Sequence, residues 1–135
     1  MAGELRVVEG GDTLVALITC PNEESAQALS EQLVAQQAAA CVNMVAGLTS
    51  VYRWQGEICR DSEWLLIVKV TEESRALVAD ILSQYHPYDE PELVFLPIHS
   101  GSSSYLSWLR EQVSPLPRGV RGQRASNSAR KEIED

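Results

Sequence analysis

The sequence predicts an α+β fold of the ferredoxin-like, split-βαβ type: β-α-β-β-α-β, with a short helix after it. Three observations predict this. Two stretches of helical periodicity alternate with extended runs. A long hairpin pattern lies between the two helices. The strand patterns are apolar on both faces, so one sheet needs cover on two sides.

The elements follow in order. Gly10-Gly11-Asp12 closes an irregular N-terminal segment. "TLVALIT", residues 13–19, is β-branched and apolar in both phases, as a central strand must be. Asn22 is the expected N-cap of the first helix, with Glu23 and Glu24 at the positive end of its dipole. Ala26, Leu29 and Leu33 then recur at helical spacing. From Cys41 to Thr71 the period changes to a hairpin turning at Gln55-Gly56. Each arm has about fourteen residues, roughly 45 Å at ~3.3 Å per residue, longer than an ordinary strand. Gly47 is expected to break or bulge the first arm. "LLIVKV" is the half to be buried, and the polar tip should project.

Thr71 caps the second helix, whose stripe is Leu77, Val78, Ile81, Leu82 and Tyr85. Pro87 stops it, because His86 before a proline is driven out of helical conformation. "ELVFLPIH" is a further strand, and "SGSSS" a turn leading into a short helix with Tyr105, Trp108 and Leu109 on one side. Residues 1–113 form the predicted domain, its core within 13–113. Residues 114–135, rich in Pro, Gly, Ser and Arg, read as a flexible tail. With no third long helix to cover the second sheet face, identical neighbours are the economical cover, and a homo-oligomer is expected.

Composition narrows the function. The net charge is −8. Residues 1–113 carry six basic against sixteen acidic side chains, and 114–135 five against three. An acidic body disfavours nucleic acid and anionic membranes. No apolar run approaches a membrane helix, and glutamates occupy the place of a signal-peptide core, so a cytoplasmic location is expected. Three cysteines without CxxC spacing make neither a disulfide framework nor a zinc motif. No nucleophilic triad, G-x-S-x-G, P-loop or dinucleotide fingerprint is readable.

"AACVNMVAGLTSVYRWQGEI", "HPYDEPELVFLPI" and "YLSWLREQV", in this order and spacing, resemble the CutA divalent-cation tolerance family over about residues 13–113. The resemblance implies a ferredoxin-like homotrimer, shaped like PII-type signalling proteins, and a role linked to copper or other divalent cations. It implies no reaction and no organic cofactor. In some members copper binding is associated with a first-strand cysteine and a His-His pair. Here Ile18 stands at the first position with Cys20 two residues on, and Tyr85-His86 at the second.

The candidate residues each carry two readings. His86 is a metal ligand or a helix-terminal histidine. Cys20 is a soft-metal donor or a buried small apolar group. Lys69 and Glu92 form a structural ion pair, or line a ligand cleft with Tyr88, Trp54 and Trp108. The two tryptophans are otherwise interface anchors. "SGSSS" is an ordinary N-capping loop or an anion cradle. The function expected is a trimeric binding or signalling protein that takes up a divalent cation or small ligand between subunits. Alternatives are an enzyme using Lys69 and Glu92 as an acid–base pair, and a rigid scaffold for protein partners.

Overall fold

A computed structural model describes residues 3–114. The flexible tail expected from residue 114 lies, after Ser114, outside the described residues. The elements are β1 (Val7–Glu9), β2 (Thr13–Cys20), α1 (Glu23–Ala35), β3 (Cys41–Trp54), β4 (Glu57–Thr71), a 3-10 turn (Glu72–Ser74), α2 (Arg75–Tyr85), β5 (Val94–Pro97), β6 (Ser100–Ser102) and α3 (Ser103–Gln112). The main sheet has the antiparallel order β3-β4-β2-β5, with β2 central as its two-faced apolar pattern requires. The α+β, split-βαβ expectation holds.

Local chemistry explains most boundaries. Asn22 accepts the Ser25 N–H at 2.8 Å and starts α1. At the hairpin turn Gln55 and Gly56 both have positive φ, the backbone of a type I′ turn. Gly47, at φ 84°, sits where the register shifts between Val45 and Leu48, so the bulge falls where expected. His86 is extended at ψ 136°, and α2 ends there.

One element was not expected. β1 and β6 pair as a separate two-stranded sheet, Val8 opposite Gly101. The "SGSSS" segment is therefore partly strand, and Ser102 caps α3 through Tyr105 N–H at 3.2 Å. The N-terminal segment is ordered by a partner more than ninety residues away.

The core lies between the helices and one sheet face. Ala16, Ile18 and Cys20 of β2 and Leu66, Val68 and Val70 of β4 meet Leu29, Leu33, Val78 and Ile81. Truncating Ile18 or Leu66 to Ala should cost about 2–5 kcal/mol. The opposite face carries Val15, Leu17, Leu65 and Ile67, all half-buried, and Val45, Val94 and Leu96, all exposed. Neither α1 nor α2 covers that apolar face, and α3 touches only its end, where Tyr105 meets Cys41.

Candidate ligand cleft

Where β2 runs out, the β3–β4 hairpin continues past it, and the loop after α2 folds across the gap. These three pieces enclose a cleft of about 830 Å³. The hairpin contributes Ser50, Val51, Tyr52, Trp54, Asp61 and Glu63, and the loop contributes Pro87 to Glu90 and Glu92. Thr19 forms part of the floor. Five of the lining side chains are carboxylates and none is Lys or Arg.

Among the described residues, Glu63 is the carboxylate that the fold encloses most. It is 7% exposed, and its Oε2 accepts the Tyr88 hydroxyl at 2.8 Å. Burial and then the Glu63 contact hold the Tyr88 phenol above its ordinary range, so it stays a donor. On the hairpin Tyr52 donates to Asp61 Oδ2, and that bond pushes the Tyr52 phenol up to about 12. Trp54 is 52% exposed beside them. Sequence reasoning missed Glu63. The signal was present: Glu63 is in phase with Leu65 and Ile67, which puts a carboxylate on the apolar face.

The two metal candidates meet in space, but inside the fold. His86 Nδ1 accepts the Tyr88 N–H at 3.1 Å, which places the ring proton on Nε2. Nε2 then donates to the Thr19 carbonyl at 2.8 Å. Cys20 Sγ lies 3.9 Å from the same nitrogen. Cys20 is fully buried, and burial followed by the Glu63 charge pushes its thiol up to about 11. Both imidazole nitrogens are engaged and the sulfur stays protonated at neutral pH. No group of three or more His, Cys, Asp or Glu among the described residues is placed to hold a metal ion. The Cys20–His86 pair does not fit a metal centre within one chain.

The remaining candidates divide. Trp54, Tyr88 and Glu92 line the cleft, and Lys69 and Trp108 do not. Lys69 donates to Asn43 Oδ1. Ion pairs among the described residues join Arg75 to Glu72 and Arg110 to Asp12, so Lys69 and Glu92 are not paired within the chain. Register explains it: Lys69 lies opposite Val15, at the far end of β2 from Thr19 and the cleft. Trp108 stacks on Tyr105 at 5.5 Å on α3.

The profile of the CutA1 divalent ion tolerance protein matches residues 14–112. This chain belongs to that family. The "Divalent-cation tolerance protein CutA" of Thermus thermophilus is 50% identical over 97 residues, covering 72% of this chain and 94% of its own length. The chloroplastic CutA of Arabidopsis thaliana is 38% identical, covering 81% of this chain and 62% of its own length. Among solved structures, Cut A1 from Thermus thermophilus superposes with TM-score 0.75 at 48% identity, over 76% of this chain and 99% of the other. CutA from Synechococcus elongatus, solved in complex with a Bis-Tris molecule, superposes with TM-score 0.73 at 33% identity, over 79% and 99%. The family and its Thermus thermophilus member are named for divalent-cation tolerance and not for a reaction. No described helix of this chain is long and apolar enough to cross a membrane.

Proposed function

We propose that this CutA1-family chain is a homotrimeric binding protein, not an enzyme, that takes a divalent cation such as copper, or a small ligand, in clefts between subunits. The cytoplasm is the proposed place of action, and residues 1–113 the working domain. The observation that carries this reading is the acidic cleft with Tyr52, Trp54 and Tyr88 in its walls. Five carboxylates concentrate cations by field alone, and aromatic walls with a few placed polar groups suit a small ligand. The Bis-Tris complex of the Synechococcus relative supports occupancy of this fold by a small molecule.

The apolar face that the two long helices leave open supports self-association: covering Val15, Leu17, Ile67 and Leu96 gains roughly 25 cal/mol per Å² buried. Lys69 and Trp108 belong to the reading as residues that a neighbouring subunit brings to the boundary. Light scattering at micromolar concentration should give three times the chain mass, and a monomer would refute the trimer. Calorimetric titration with Cu²⁺ should show binding that Glu63→Gln weakens and Cys20→Ala leaves unchanged. A titration abolished by Cys20→Ala would return the metal to the interior pair.

A further inference from the structure

The cleft has features that a bare metal ion does not use. Its carboxylates come from two separate pieces of chain, Asp61 and Glu63 on the hairpin and Asp89, Glu90 and Glu92 on the loop. They do not converge: no three of them are placed to hold one ion. A hard cation needs six to eight oxygens at 2.3–2.6 Å, or a tight octahedron. Carboxylates distributed along walls suit a ligand whose positive charges are also distributed.

A second observation points the same way. Glu63 is a carboxylate more than nine-tenths buried, and it lines the cleft. Its Oε2 accepts from Tyr88, while Oε1 has no hydrogen-bond donor among the described residues. A buried charge calls for a partner of opposite sign or further donors. Both cleft phenols already donate, Tyr52 to Asp61 and Tyr88 to Glu63. The walls therefore offer acceptors in excess, and the missing partner must bring N–H or O–H donors and positive charge. Tyr52 and Trp54 present aromatic surface for the ligand's carbon. The volume is that of a small organic molecule and not of an ion. A Lys69 arriving from a neighbour would neutralise one carboxylate of the five and leave four.

We propose that the cleft binds an organic polyammonium ion, a chain of primary or secondary amines joined by methylene segments. The ammonium groups would donate to Glu63 and to the loop carboxylates, and the methylene segments would lie against Tyr52 and Trp54. The proposal rests on the reading of the cleft as a ligand site and names the class of ligand.

The test is titration of the full chain with spermidine at low ionic strength, followed by tryptophan fluorescence and by calorimetry, with Trp54→Phe used to assign the signal. Saturable binding that quenches Trp54 is expected. Glu63→Gln should weaken it at least tenfold. Glu92→Gln, at a position exposed on the single chain, should weaken it three- to tenfold. Glu31→Gln, on the exposed side of α1, should leave it unchanged and so separates a site from general attraction to an acidic protein. Absence of saturable binding, or equal weakening in Glu31→Gln, would overturn the proposal. Sorbitol and citrate, titrated in parallel, separate the two levels. If either saturates the cleft in a Glu63-dependent way and spermidine does not, the amine class fails and the ligand cleft stands. If no organic probe and no divalent metal perturbs Trp54, both fail.

Discussion

His86 and Tyr88 are two residues apart, and their side chains serve two different regions. His86 turns inward to Thr19 and Cys20, where it is 8% exposed. Tyr88 turns outward, and its hydroxyl reaches Glu63 at the cleft. The inner region is buried, and both His86 ring nitrogens are hydrogen-bonded there. The outer region is open, acidic and short of donors. Metal-ligand residue types fill the first, yet the room and the unmet charge are in the second. Residue type and open space therefore point to opposite sides of the loop. The two regions still touch, because the Tyr88 N–H donates to the His86 ring and the Glu63 charge acts on Cys20.

The contrast between the two regions breaks most sharply at His86. His86→Ala removes the donor to a buried carbonyl and the acceptor of Tyr88 N–H, and should cost about 2–4 kcal/mol in urea unfolding. Spermidine affinity should change by less than about threefold, because the loss is one of stability and not of cleft charge.

Next in size is the pH response of Cys20. Its folded pKa is raised above the usual 9.0 to about 11, so the folded state holds the proton more tightly. Stability is then full below pH 9 and falls as pH rises through 11. At 1.36 kcal/mol per unit the loss is about 2–3 kcal/mol. Urea melts between pH 8 and 11 should show this difference between wild type and Cys20→Ala, whose curve lacks this contribution. Equal slopes would mean that the thiol is not buried as described.

Tyr88→Phe is smaller in stability and larger in function. It leaves the Glu63 carboxylate without its donor and should cost about 1–2 kcal/mol, with spermidine binding weakened about tenfold. Smallest of all is Glu92→Gln. Its stability effect should stay within about 0.5 kcal/mol, since an exposed position makes little of a single charge. A large destabilisation there would mean that Glu92 has the buried partner expected of Lys69.

Much of the fold was legible because it follows local rules. The two-faced apolar run at 13–19, the Asn22 cap, the Gly47 bulge and the stop at Pro87 each depend on neighbours in sequence. β1 was not legible, since a three-residue strand next to charged residues is ordered by segments more than ninety residues away, chiefly Ser100–Ser102. Of the residues that line the cleft, Trp54, Tyr88 and Glu92 were among those singled out in the sequence, while Glu63 was not. Its burial depends on a tyrosine twenty-five residues later, and alternation showed only its face. The supposed Lys69–Glu92 pair failed in one chain for the converse reason. Two opposite charges in apolar segments suggest a pair, but register sets how far apart they lie.

Ligands that meet the cleft, and not the Cys20–His86 pair, must leave different marks on the two regions. Nitrogen-15 NMR of the full chain reads both at once, through the Trp54 indole N–H and the two His86 ring nitrogens. Adding spermidine, and separately Zn²⁺, should move the Trp54 resonance and leave the His86 nitrogens at their hydrogen-bonded values. A His86 Nε2 resonance that moves on ligand addition while Trp54 stays fixed would contradict the assignment of binding to the cleft.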